Sequence, residues 1–450
     1  MMIFVIFFMI ASMALTFSIG RALYAEIVTF RLIYDSKQSY YAADAALEDA
    51  AHRYITGLSI DTEEVIAVNG AIATTTTTYD SADEVFILTA EAVDNHAYRS
   101  SEMNLYLGAG ASFNFGVQTG NGGFELTNGS SVIGNVFSNG HIEKTGGGTA
   151  TIYGDVISAG ASGLIKDVHA TGSAWAHTIQ DSTIGGSAYA YTIDGGSIGG
   201  GAEYYQKIGG AVINGTPEVS GVVVGDEDPV DLPISDDAVD AMKQDILDNG
   251  TVIAATDPEC AGDNLYEIKT DTTLGMVKIE CDFRLTKQGA STVLTLDGPI
   301  WIEGNASFKS GPEVVADSSV GNRTIPFIVD NEANRATSSR ITIENGTTFT
   351  GTGQSKSYIL MLSQNSDAEN GEVENVDAIT LEQSSAGDLL AYAAHGRINL
   401  ANSIELNEIT AYKIHLGNNA DVIYESGLVN LLFTSGPGGG FTIGSWQEIE

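Results

Sequence analysis

The sequence predicts a mainly β protein carried on one long N-terminal α-helix, transmembrane and then amphipathic, followed by a small antiparallel sheet and parallel β-helix (β-solenoid) domains. Three observations predict it. The first twenty residues, MMIFVIFFMIASMALTFSIG, hold no charge and no proline. Fifty-two glycines stand against eight prolines amid abundant Thr, Ser, Ile and Val, the composition of many short strands joined by tight turns. Short glycine-containing phrases also recur beyond residue 109.

As a helix, residues 1–20 fill about 30 Å of hydrocarbon, a membrane span by length. After Gly20 neither glycine nor proline occurs until Gly57, so residues 1–57 read as one helix roughly 80 Å long. Beyond the span, Leu23, Ile27, Phe30, Ile33, Tyr40, Ala43, Leu47, Ala51 and Tyr54 follow spacings of three, four and seven. That is an amphipathic stripe that needs a partner. A signal anchor followed by a stalk is its plainest reading.

The segment SKQSYYAADAALEDA, residues 36–50, resembles the helix signature of type IV pilin-like proteins, particularly PilX-like minor pilins. Tyr40, Tyr41, Ala42, Ala43, Ala45 and Glu48 stand where that motif places them, and Asp44 replaces its first glutamate. The resemblance implies an assembly helix that packs into a bundle, strands laid on its C-terminal half, and other pilin subunits and the pilus assembly machinery as partners. It implies a cytoplasmic-membrane or pilus location with the C-terminal bulk outside, at the cell surface. It also implies a short basic leader removed by a prepilin peptidase. The chain opens at Met1-Met2-Ile3-Phe4, which reads as an already processed form. Val5 stands where many pilins carry glutamate. Arg21 and Arg31 alone would hold their side of the membrane in the cytoplasm, and a lost basic leader restores the opposite orientation.

Residues 58–108 contain three apolar or Thr-rich runs, among them Val85–Ala90 and Ser101–Leu107. They read as a small sheet packed on the helix. In 109–224 the phrase IGNVFSNG is echoed by IYGDVISAG, then more loosely by IGGSA, IGGGA and IGGAV. This Gly-rich region reads as a first β-solenoid, with glycines at corners where φ is positive. Residues 225–250 read as an acidic linker, GDEDPVDLP, with a short helix from Asp236 behind Ser235 as N-cap. Strand phrases return in 251–450, a second β-solenoid domain. Its series GPIWIEGNASF, SYILMLS and GRINLANSIEL, and its ending near Trp446, look like the C-terminal solenoid of PilX-like envelope proteins.

Charge narrows the function. Twenty basic residues against fifty-eight acidic ones give a formal net charge of −38, which repels phosphate backbones and anionic surfaces, so no nucleic acid is expected as partner. Cys260 and Cys281, with twenty residues between them, form the disulfide candidate, worth roughly 3 kcal/mol if oxidised. No GxxxxGK[ST], GxSxG or HExxH pattern occurs, so no catalytic residue, cofactor-binding residue or metal ligand is assigned and no enzyme is expected. The seven histidines are scattered and read as solvated or structural. The phrase Asp367-Ala368-Glu369-Asn370-Gly371-Glu372 is like half of a calcium loop, and reads better as an acidic loop. Trp175, Tyr189, Tyr191, Tyr204 and Tyr205 read first as core or solenoid-face packing, with contact to a neutral glycan as the other reading. The function expected is a structural minor-pilin-like subunit acting in assembly, tip capping or adhesion to a glycan, host or neighbouring cell surface. A membrane-anchored β-helix adhesin or carbohydrate-active protein outside any fibre is the alternative.

Overall fold

The computed structural model describes residues 2–56, 63–80, 85–95, 97–107, 110–111, 113, 115–260, 262–371, 376–401, 404–424, 431–434 and 441–449. The chain is mainly β with a long N-terminal helix, and it divides into two units, residues 1–108 with 438–450, and residues 109–437.

In the first unit, helix α1 (Met2–Thr56) runs unbroken for 55 residues. No proline interrupts it and Gly20 is its one glycine, and among the described side chains every one from Met2 to Tyr34 is exposed. From Asp35 onward one face is buried. Ala42, Ala43, Ala46, Leu47, Ala50 and Ala51 recur at three- and four-residue spacing and are at most 3% exposed, which brings them onto one side of the helix. They meet a sheet of β1 (Glu63–Val68), β2 (Ala71–Asp80), β3 (Val85–Asp94) and β4 (Ala97–Leu107), paired antiparallel in chain order. Its inward positions alternate along β2, β3 and β4: Ala71 and Ala73, Leu88, Ala90 and Ala92, Met103 and Leu105. Alanine on both surfaces lets helix and sheet approach closely.

A fifth strand, Phe441–Ile449, pairs antiparallel with β4, Leu107 against Phe441 and Ser100 against Ile449. This corrects the expectation that residues 251–450 form one solenoid domain. Glu448 adds an ion pair to Arg99 at 2.8 Å, and Trp446 lies opposite Met103.

The second unit is a stack of short parallel strands. Val136, Val156, Ala174, Ala188 and Ala202 stand in register, as do Ile142, Ile165, Ile179 and Ile193, and Val132, Ile152, Ala170, Ile184 and Ile198. All are buried in one core. From 174 to 202 the rungs repeat every fourteen residues. One corner is turned by Asp167, Asp181, Gly195 and Gly209, all at positive φ. A Cβ at Gly195 would sit 2.3 Å from Asp181 Oδ1, and glycine takes this left-handed corner without the strain that Asp167 and Asp181 bear at the equivalent positions.

The 251–416 region stacks likewise. Leu285, Phe308, Ile343, Leu381, Leu400, Leu416 and Leu126 form one ladder, and Ile398, Ile414 and Phe124 continue another. The strand Glu408–Leu416 pairs parallel with Val117–Leu126, so the expected division into two solenoids at 109–224 and 251–450 gives way to one continuous stack. The cause is that each region ends on a rung whose inward residues match the other's. Along the stack the chain runs 251 to 416, then 117 to 220.

Residues 221–250 therefore lead from one end of the stack back to the other. They are not a free linker. Glu227 O accepts from Gly160 N at 2.8 Å, Val230 exchanges two hydrogen bonds with Asn139, and Asp231 O accepts from Gln118 at 3.0 Å. Ile234 N donates to Tyr392 Oη at 3.1 Å. Helix α2 (Asp236–Asn249) is capped by Ser235 Oγ, which accepts from Ala238 N, and it buries Val239, Met242, Lys243 and Ile246. They pack on Trp301, Ile328, Leu360, Leu362 and Leu390, a second apolar cluster outside the stack's own core. The connection is a strap. Near its far end Cys260 and Cys281 are joined in a buried disulfide.

Candidate functional site

The helix motif separates into two sets. Ala42 and Ala43 are consumed by the sheet, Ala45 is half-buried, and Tyr41 and Glu48 face solvent. Tyr40 lies edge-on to Tyr41, ring centroids 5.6 Å apart. The charge of Asp44 and a hydrogen bond to it hold the Tyr40 phenol above its ordinary pKa. The helix is tied down by Ser39 Oγ, which donates to Ala97 O at 2.9 Å, and by Gln38, which donates to Asn69 O at 2.7 Å. Half of the motif thus builds the unit, and Tyr41 and Glu48 remain exposed.

The aromatic residues form two outward columns on successive rungs. Trp175 and Tyr189 stack with centroids 5.2 Å apart and planes 11° apart. His177, Tyr191 and Tyr205 stack at 5.0 and 4.7 Å. Parallel in-register pairing forces this: side chains two residues apart share a face, and equivalent positions repeat at the rung spacing. Ring faces inside a column are covered by their neighbours, so solvent meets ring edges. The last ring, Tyr205, is 45% exposed and flanks a rung that offers only Gly221 beside it.

Tyr204 does not belong to this surface. It stands in register with Ala176 and Ala190, points into the stack at 4% exposure, and donates to Glu218 at 2.6 Å. That hydrogen bond and burial raise its pKa. The strand's two-residue alternation places Tyr204 and Tyr205 on opposite faces, so Tyr204 is withdrawn from the candidate glycan contacts. His177 joins instead; its signal was the fourteen-residue spacing of 177, 191 and 205. Its Nδ1 lies 3.0 Å from Asp226 Oδ1 of the strap.

Buried charge gathers under α2. Asp330 is fully buried and takes both Arg335 Nε and Nη2 at 2.8 and 2.7 Å and Lys243 Nζ at 2.7 Å. Lys243 also reaches Asp240 at 2.7 Å and Glu332 at 2.6 Å, and lies 5.3 Å from the Trp301 ring centre. Burial works against both charges, yet these bonds prevail, so Lys243 is held above and Asp330 below its ordinary pKa. Each of these polar atoms has a structural use. Asp367–Asn370 form a short helix ended by Gly371, and Glu369 pairs with His395 at 2.5 Å; Glu372 lies outside the described residues. Among the described residues no group of three His, Cys, Asp or Glu side chains is placed to hold a metal ion.

No family model and no curated protein matches the chain. Among solved structures, the crystal structure of the competence-associated pilin ComZ from Thermus thermophilus aligns over 92% of this chain and 98% of its own, at 12% identity and a TM-score of 0.27. A likeness that faint fixes neither fold nor role.

Proposed function

We propose that this chain is a structural, non-enzymatic subunit of the cell envelope, anchored by its N-terminal helix and drawn into a type IV pilus or pseudopilus as a minor-pilin-like component. The observation that carries the reading is the helix itself. Its described side chains stay exposed as far as Tyr34, well past the uncharged first twenty residues, and they include Leu23, Ile27, Phe30 and Ile33. A membrane span accounts for the first part only. The remainder carries Arg21, Glu26 and Arg31 among these apolar residues, a pattern that suits neighbouring helices better than lipid. The Tyr40 to Glu48 motif supports the same reading, with Tyr41 and Glu48 at the contact. The parallel stack is then a β-solenoid carried outward, where Trp175, Tyr189, Tyr191 and Tyr205 offer a surface for adhesion.

The test is mass spectrometry of the N-terminal peptide in fibres sheared from cells, compared with residual membranes. An N-methylated N-terminus in the sheared fraction supports incorporation after prepilin processing. Unprocessed chain confined to membranes overturns it and leaves an anchored adhesin.

A further inference from the structure

Basic residues are scarce in this chain, twenty against fifty-eight acids, and many of them find a carboxylate. Arg335 grips Asp330 with two bonds, Arg397 lies 2.5 Å from Asp377, and Lys278 reaches both Glu280 and Glu303. Arg284 and Arg340 are held more loosely. The nearest paired carboxylate to Arg284, that of Glu267, is at the 4.0 Å limit, and its Nε is buried with no hydrogen-bond partner. Arg340 Nε donates only to a backbone oxygen, Asp377 O, at 3.2 Å. Both line one outward groove of about 310 Å³ on the parallel stack.

The groove floor is neutral and polar. Asn305 lies between Asp282 and Arg340, and Ser307 lies between Arg284 and Thr342 in strict register. Asp282 Oδ1 is taken up by Asn305 N at 2.8 Å and Nδ2 at 3.2 Å, and Lys309 pairs with Glu344 at 3.1 Å. Three cations and two anions line the groove, so one negative charge neutralises it. The hydroxyl and amide column extends past it along the rungs through Thr380 and Asn399.

We infer that this groove binds an acidic glycan, with the carboxylate of one uronate unit held by the Arg284 and Arg340 guanidiniums and neighbouring hydroxyls on the Ser307, Thr342, Thr380 and Asn399 track. A guanidinium fork matches a planar carboxylate in two parallel hydrogen bonds. A linear polar polymer suits a track whose exposed lining is polar apart from the half-buried Leu265, whereas an acidic peptide would use larger apolar pockets. The net charge of −38 repels anions elsewhere on the surface, so binding here requires local recognition rather than a general field. The site is separate from the aromatic columns and does not depend on fibre incorporation.

The test is calorimetric titration of the full chain, held in a non-ionic polyoxyethylene detergent, with an oligogalacturonate, its fully methyl-esterified form and an oligoglutamate of equal charge. The acid oligosaccharide is expected to bind, with affinity at least tenfold weaker after esterification and at least tenfold weaker in the double variant Arg284→Gln, Arg340→Gln. Arg99→Gln, on the sheet of the first unit and paired there with Glu448, should bind as the native chain does. Should the double variant melt differently, Arg284→Lys keeps the charge and removes the fork, and it must also weaken binding. Absence of binding, binding insensitive to either change, or oligoglutamate binding as tightly overturns the inference.

Discussion

Replacing Lys243 by methionine tests whether the strap is locked by charge or merely laid on the stack. The Lys243 side chain is 4% exposed and the Asp330 carboxylate 0%, so the variant leaves a buried carboxylate with one cationic partner instead of two. Stripping a partner from a buried ion pair costs about 3–5 kcal/mol. Arg335 still grips Asp330 with two bonds, which puts the cost near the lower end, about 3 kcal/mol. Val239, Met242 and Ile246 keep their apolar contacts, so α2 should loosen without the stack dissolving. The assay is native-state hydrogen exchange on the amides of Asp236–Asn249. Their opening should become about a hundredfold easier, with little change at rungs far from α2. The double variant Lys243→Met, Asp330→Asn also removes the buried carboxylate but leaves Arg335 without its partner, so it should recover only part of the loss. Asp330 is held below its ordinary value of 3.8, so its contribution is present above that pH and lost as pH falls through the folded value. Lys243 is held above 10.5, so its contribution is present below that pH and lost as pH rises through the folded value. The Lys243–Asp330 contribution should therefore be flat across neutral pH, whereas His395, whose bonds to Asp236 and Glu369 outweigh burial and hold it above 6.5, adds protection at the start of α2 that is present below 6.5 and lost as pH rises through the folded value. A loss under about 1 kcal/mol, or strict additivity in the double variant, would refute the view that buried charge docks the strap.

Other perturbations follow from the same geometry. Reducing Cys260–Cys281, which are 21 positions apart, should cost about 3 kcal/mol, seen as faster exchange in the rungs around 251–286. Glu408 is fully buried and burial raises its pKa well above 4.5, with Thr410 donating to it. Its contribution is present below 4.5 and lost as pH rises through the raised value, so Glu408→Gln should melt higher than the native chain at pH 8 and match it near pH 4. Ala46→Leu, at a helix position 2% exposed against the sheet, should overpack the first unit by about 1–3 kcal/mol in urea titration. Glu48→Ala changes an exposed residue; it should fold normally, yet be recovered in sheared fibres at a fraction of the native level.

Much of this fold could be read along the chain because the signals were local. The absence of proline and, after Gly20, of glycine gave α1, and alternation gave the strands laid on Ala42 to Ala51. The glycine phrases gave short strands and corners. What could not be read was which rung meets which. Leu416 and Leu126 make a pair no different in composition from Leu381 and Leu400, so nothing local announced that 408–416 returns to 117–126. The strap has the composition of a linker because several of its bonds to the stack come from backbone oxygens of Glu227, Val230 and Asp231, which leave no trace in side-chain pattern. Tyr204 and Tyr205 show the finest limit: a one-residue parity decides which is core and which is surface. Arg284 and Arg340, 56 positions apart in sequence, met only through the register of three rungs.

Because Val117–Leu126 sits between Val136–Ser138 on one side and Glu408–Leu416 on the other, biosynthesis leaves it half-finished. Rungs toward residue 220 can stack as they leave the ribosome. The opposite edge of the first rung must wait for nearly the whole chain, presenting unpaired backbone throughout, and such an edge invites foreign strands. A chain truncated before residue 408 would keep that edge for good, so premature termination should yield aggregates rather than a shorter working protein.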